Sequence, residues 1–254
     1  MRYRAVISYD GTSYVGWQRQ LNGMSVQEKM EIALGKIFGA TTSCTASGRT
    51  DAGVHAEGQV IHFDADTSIP TDKIPYAVNT ELPDDISMLQ CEETRDDFNA
   101  RFSAKRKTYR YSLYSSPHRQ ATLNKNHTHI ISPLNVEDMK KAAEHIVGQH
   151  DFKCFEASGS VVKSTVRTVF SLDIAVTKLP AIKGIAFDPV KLDITITGNG
   201  FLYNMVRIIV GTLIDIGMGK KRLDVFDKLF EGNNRSFAGK TVKPNALFLK
   251  SVTY

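Results

Sequence analysis

The stretch Ser47-Gly48-Arg49-Thr50-Asp51-Ala52-Gly53-Val54-His55-Ala56 decides how this sequence is read. Two glycines bracket an Arg-x-Asp unit, and a strand-like run follows at residues 59–63. Glycine admits backbone angles and close approaches that a Cβ blocks. The pattern therefore predicts a tight turn presenting Asp51, not an aspartate on a solvated helix. Arg49, two residues away, can keep that carboxylate ionised and aimed. An ionised, held carboxylate is a candidate nucleophile. An ordinary Asx-turn with a neighbouring ion pair fits the same residues. Other chemistries fit less well. His55 and His62 could join Asp51 as ligands, but no second carboxylate cluster accompanies them, so no metal site is expected. There is no G-x-S-x-G elbow for a Ser-His-Asp hydrolase. The spacing and Lys-Ser/Thr of a phosphate loop are absent too.

Outward from this turn, the N-terminal part opens with an alternating strand at 3–10. Ser25-x-x-Glu28 reads as a capping box, and Val26, Met30, Ala33, Leu34 and Ile37 form a helical apolar stripe. A short helix near 72–79 and a strand near 86–94 follow. The rest of the chain repeats the plan loosely. A strand is expected at 105–114. Asn135 caps a helix with the stripe Val136, Met139, Ala142, Ala143 and Ile146. Strands come next at 166–177 and 191–197, then an apolar helix at 201–217, a short helix at 223–230 and a last strand at 247–254. Two α+β parts are expected, 1–103 and 104–254. No Gly/Ser- or Pro-rich linker separates them, which allows one shared sheet.

Charge divides along the same line. Net charge is −6 over residues 1–103 and +11 over 104–254, for +5 in all. Residues 98–136 hold no acid but seven bases: Arg101, Lys105, Arg106, Lys107, Arg110, Arg119 and Lys125. Such asymmetry points to a polyanionic partner, a solvated basic face being the plainer reading. In Ala104-Lys105-Arg106-Lys107-Thr108-Tyr109-Arg110-Tyr111, alternation places Lys105, Lys107, Tyr109 and Tyr111 on one face. Cations neutralise phosphates and rings stack on bases, so this face suits flipped or single-stranded RNA. An edge strand blunted by lysines fits as well. On the apolar helix, Asn204, Arg207, Gly211 and Asp215 form a narrow stripe. A shielded arginine there needs an anionic partner: a structural carboxylate, a phosphate or Asp51 itself. The same three polar residues exclude residues 201–217 as a membrane span. The cysteines, Cys44, Cys91 and Cys154, are three and far apart, so disulfides and a CxxC zinc site are not expected. Met1-Arg2-Tyr3-Arg4 runs straight into strand-like sequence without a secretory signal, and the cytoplasm is the expected location.

Four segments together resemble the TruA family of tRNA pseudouridine synthases. They are Tyr9-Asp10-Gly11-Thr12-x-Tyr14-x-Gly16-Trp17-Gln18; Gly48-Arg49-Thr50-Asp51-Ala52-Gly53-Val54-His55-Ala56; Phe98-Asn99-Ala100-Arg101-Phe102-Ser103-Ala104; and Gly200-Phe201-Leu202-Tyr203-Asn204-Met205-Val206-Arg207. They run in order across essentially the whole chain. The resemblance implies an α+β fold of two topologically similar halves. These share a long, mostly antiparallel sheet, with helices on one face and a central catalytic cleft. It implies a cofactor-free and metal-free isomerase, a homodimer whose two subunits touch one tRNA. The reaction implied is uridine to pseudouridine at tRNA positions 38, 39 and 40 of the anticodon stem-loop, with base flipping. By similarity Asp51 is the nucleophile, Arg49 its neighbouring partner, Tyr109 the ring on the target base, and Arg207 the arginine facing the catalytic aspartate. Leu247 lines the pocket. Gln18, Arg19, Lys105, Lys107 and Arg110 are the expected RNA-binding side chains. Two stretches depart from the family pattern. Val242-Lys243-Pro244-Asn245-Ala246-Leu247 replaces the usual Ala-Pro-x-x-Gly-Leu, and residues 178–188 form a longer loop than it needs.

Overall fold

Strand β1 (Arg2–Tyr9) shows how the first part folds. Its odd residues Tyr3, Ala5, Ile7 and Tyr9 are buried, while the even ones stay partly exposed. That is the two-residue period of a strand with one face on a core. The structure is a computed structural model that describes residues 1–159, 162–180, 183–184, 186–232 and 234–254. The chain forms two compact units, Met1–Lys107 with Phe248–Tyr254, and Thr108–Leu247.

In the first unit β1 lies between β3 (His55–Asp64) and β4 (Ile86–Thr94), antiparallel to both, with Ala5 opposite Ile61 and Cys91. At one end of β3, β2 (Cys44–Ala46) pairs antiparallel. At the other end, β10 (Leu247–Thr253) pairs parallel, matching Phe248 with His55. Helix α1 (Val26–Phe38) starts where the capping pattern predicts, with Ser25 Oγ accepting the Glu28 N–H at 3.2 Å. It stops at Gly39, whose φ of 71° closes the helix in the left-handed region. Phe38 stacks on Phe63 at 5.7 Å and Phe63 on Tyr3 at 5.5 Å, so α1 covers the odd-numbered face of β1. Helix α2 (Ile74–Asn79) ends on a double link from the Asn79 amide to Met88: its oxygen accepts the Met88 N–H, and its nitrogen donates to the Met88 carbonyl. Val60, Phe98 and Ala100 form a second small core, packed by Val6, Val252 and Tyr254.

In the second unit the strand neighbours run β5 (Arg106–Ser115), β9 (Val190–Gly198), β8 (Val166–Lys178), β7 (Gly148–Asp151). β6 (Thr128–Ile130) pairs parallel with β5. Asn135 Oδ1 accepts the Asp138 N–H at 3.2 Å and caps α3 (Val136–Glu144), which packs on α4 (Met205–Gly217). α5 (Val225–Gly232) brings Phe226 flat against His145, with ring centroids 5.0 Å apart.

The chain is α+β, with ten strands paired mostly antiparallel and five α-helices among the described residues. Three features differ from the sequence expectations. The apolar helix begins at Met205, not at residue 201, because Asn204 sits at φ 58°, which an α-helix does not accept. The strands β2, β6 and β7 have three or four residues each, too short for a period to show. β3 starts at His55, four residues before the expected strand. Of the long loop at 178–188, residues 181, 182 and 185 lie outside the described residues; Leu179 N–H bonds the Pro189 carbonyl at its base. Among the described residues no helix is long and apolar enough to cross a membrane.

Candidate active site

The Asp51 loop is held by backbone contacts on both sides. The Ser47 N–H donates to Val60 O at 2.8 Å, joining the loop to β3. Three residues on, the Trp17 N–H donates to Thr50 O at 3.0 Å, and the Thr50 hydroxyl lies 2.7 Å from Tyr9 Oη. Burial pushes the Tyr9 phenol up to about 12, so it stays protonated at neutral pH. The Val54 N–H then closes a turn on Asp51 O at 3.1 Å, with Gly53 at φ 75° in its third position. Asp51 is half-buried between the fixed Thr50 and this turn. The expected tight presentation of Asp51 is what the backbone does.

Two glycines let a second loop approach. A Cβ on Gly16, whose φ is 106°, would stand 2.7 Å from Thr50 O; one on Gly11 would stand 2.1 Å from Val54 O. The segment Gly11 to Trp17 is thus packed backbone to backbone against the Asp51 loop. No role for Gly11, Gly16, Tyr9 or Trp17 follows from the sequence alone. Their one signal is the glycine spacing in the motif. His55 and His62, considered as metal ligands and set aside, are buried: His55 stacks on Phe248 at 4.6 Å, and His62 Nδ1 accepts the Ala100 N–H at 3.1 Å. No group of three His, Cys, Asp or Glu side chains converges among the described residues.

The start of the loop rests on a polar cluster. Ser47 Oγ donates to Gln59 Oε1 at 2.6 Å, and Gln59 Nε2 donates to Gly48 O at 2.8 Å. Lys107 Nζ donates to Ser47 O at 2.6 Å. Burial, and secondarily the charge of Arg101, lowers the Lys107 ammonium from 10.5 to about 8.

The other expected site residues of the first unit are spread over its surface. Arg49 is exposed and forms no ion pair among the described residues, so the local pair with Asp51 that the spacing allows is not made. An exposed pair of this kind gains little over hydration. Gln18 and Lys105 are exposed. Arg19 is exposed and reaches Glu28 at 3.5 Å and Glu31 at 3.9 Å.

In the second unit Tyr109 lies on β5, buried, its ring edge-on to Phe201 at 5.2 Å. Arg207, in the first turn of α4, donates from Nε to Val242 O at 2.8 Å and from Nη1 to Asn204 Oδ1. The left-handed Asn204 is what brings its amide back to that guanidinium. Gly211, one turn on, leaves room for the Lys240 carbonyl oxygen, which a Cβ there would meet at 1.9 Å. That close approach places residues 239–243 along α4. Arg110 faces Asp193 at 3.7 Å, sharing it with Lys191 at 3.0 Å. Leu247 is buried at the start of β10, just after the short 3-10 turn Pro244–Ala246.

A family described as tRNA pseudouridine synthase matches this chain over residues 5–103 and 142–254. Among curated relatives, tRNA pseudouridine synthase A of Ruminiclostridium cellulolyticum is 45% identical over 253 residues, covering 100% of this chain and 99% of the relative. The protein of the same name from Thermoanaerobacter sp. is 45% identical over 249 residues, 98% of each chain. That of Bacillus subtilis is 43% identical over 256 residues, 100% of this chain and 99% of the relative.

Proposed function

Because this chain belongs to the tRNA pseudouridine synthase family and is an isomerase, we propose that it converts uridine to pseudouridine in the anticodon stem-loop of tRNA, at positions 38, 39 and 40, with Asp51 as nucleophile. The observation that carries the reading is the Asp51 loop. It is pinned at Thr50 by Trp17 and Tyr9 and closed by the Gly53 turn, which leaves a half-buried carboxylate on a fixed backbone. Pre-set geometry of this kind is what a covalent step needs.

In the reaction the N1–C1′ glycosidic bond of uridine breaks, the base turns, and C5 bonds to C1′. The proton on C5 leaves and N1 gains one, so no redox change or water is consumed. An Asp51 carboxylate adding to the base or the ribose keeps that piece covalently on the enzyme between these steps, and its bond breaks again to return the free carboxylate when pseudouridine is released. A stacked uridine is out of reach, so the target base is flipped first, at a cost of a few kcal/mol. Tyr109 is proposed as the ring that stacks on that base, with Arg49, Arg207 and Leu247 as active-site support. Gln18, Arg19 and Lys105, exposed on the first unit, are proposed to meet the RNA backbone, which fixes position without reading sequence. The family resemblance supports a homodimer acting on one tRNA in the cytoplasm.

The test is pseudouridine mapping on an unmodified tRNA transcript, in EDTA, with wild-type and Asp51→Asn protein. Expected are new pseudouridines in the anticodon stem-loop with the wild type only, and near-equal tRNA affinity for both proteins. Product from the Asp51→Asn protein would sink the nucleophile assignment. Dependence on added metal would point to a different reaction.

A further inference from the structure

Lys107 was expected on the RNA face of its strand. In the fold its ammonium donates to the carbonyl of Ser47, sixty residues earlier in the chain, at 2.6 Å. Among the described residues no carboxylate lies within ion-pair range of it. The charged group acting on it is Arg101, which repels it; the catalytic loop offers the Ser47 carbonyl, and β3 offers the neutral Gln59 amide. A shielded cation without a counter-ion is unfavourable by itself. Its place is explained by what it holds. Ser47 O is the last acceptor before Gly48-Arg49-Thr50-Asp51, and Gln59 grips the next carbonyl, that of Gly48. Gly48 fits the same arrangement: a Cβ there would stand 2.7 Å from Lys107 Nζ, with no backbone atom in the way.

We infer that Lys107 is a positioning residue for the catalytic step, its ammonium anchoring the start of the Asp51 loop from beneath. The inference rests on Asp51 being the nucleophile. Lys107 acts through the backbone and does not touch the substrate. The loop then has two anchors: Trp17 and Tyr9 at Thr50, and Lys107 with Gln59 at Ser47 and Gly48. The charged donor makes the stronger bond to Ser47 O, and it weakens as Lys107 loses its proton above about pH 8.

The experiment measures single-turnover pseudouridine formation and tRNA affinity for four full-length proteins: wild type, Lys107→Met, Gly48→Ala and Asp51→Asn. A carboxylate misplaced by about 1 Å loses about 100-fold in rate. Lys107→Met is expected to approach that loss, with tRNA Kd within about twofold of the wild type. Gly48→Ala, which leaves Lys107 in the chain but displaces its ammonium, is expected to fail in the same way. The rate ratio of wild type to Lys107→Met is expected to narrow as pH rises through about 8, because the wild type loses the same charge. A Lys107→Met protein with the wild-type rate overturns the inference. So does a loss confined to Kd, with the salt slope of binding reduced by about one, which marks a phosphate contact. An active Asp51→Asn protein would instead overturn the nucleophile reading on which this one stands; an inactive one beside a normal Lys107→Met overturns the inference alone.

Discussion

Replacing Gly16 by alanine separates the two reasons a glycine can be needed. At φ 106° an alanine pays backbone strain of about 1–2 kcal/mol. Its Cβ would also lie 2.7 Å from Thr50 O and 3.1 Å from the Asp51 carbonyl carbon. Neither is the end of a flexible side chain, so the loop has to move by roughly half an ångström, at about 1–3 kcal/mol more. Gly39 supplies the control. Its φ is 71°, and a Cβ there meets nothing within 4 Å. Gly39→Ala thus pays strain alone, at the C-terminus of α1. At about 2–4 °C per kcal/mol, Gly39→Ala is expected to lower Tm by about 2–8 °C, and Gly16→Ala by about 4–20 °C. Activity is the sharper readout. Single-turnover pseudouridine formation, assayed well below both midpoints, is expected to fall by about 10–100-fold in Gly16→Ala and to stay within twofold in Gly39→Ala. A Gly16→Ala protein that is destabilised yet turns over at the wild-type rate would refute the claim that this contact sets the position of Asp51.

Tyr109 is expected to work through its ring: Tyr109→Phe stays within a few-fold of wild type in single-turnover rate, and Tyr109→Leu falls by a further order of magnitude or more. A severe loss in the phenylalanine variant would assign a role to the hydroxyl instead. Binding of tRNA is expected to weaken steeply with salt, by about one order of magnitude in Kd per decade of salt for each phosphate contacted; a flat filter-binding curve from 50 to 200 mM would contradict the charge argument. Stability carries its own pH signature. The folded Lys107 binds its proton less tightly than the unfolded chain, about 8 against 10.5, so its unfavourable contribution is full below pH 8 and gone above 10.5. Its share of the unfolding free energy therefore rises by about 2 kcal/mol from pH 7.5 to 9.5. Urea unfolding at those two values should show a larger gain for wild type than for Lys107→Met, while the catalytic advantage of the wild type shrinks; parallel stability curves would refute the shift.

Several elements were legible before folding because their causes are local. Ser25 and Asn135 cap the helices they precede, since a cap acts over three residues. β1 follows from alternation, and the turn at Asp51 follows from Gly53 two residues on. The helix boundary at 201 was missed for an equally local reason, a left-handed asparagine, which leaves no mark in an apolar count. The short strands β2, β6 and β7 exist only through their partners.

The candidate site divides the same way. Asp51 and the basic, tyrosine-bearing strand could be picked out from residue types at short spacing. What holds Asp51 could not. Trp17 and Tyr9 reach Thr50 from 33 and 41 residues away, and Lys107 reaches Ser47 from 60. A period along the strand set Lys107 beside Lys105 as one more surface cation; the fold turned its ammonium onto a backbone carbonyl. Sequence determined which groups sit on tight turns, strands and caps, because those preferences are properties of neighbouring residues. Only the tertiary structure decided which carbonyl each donor would find and which glycines had to stay bare, because both depend on distances between segments that no local pattern encodes.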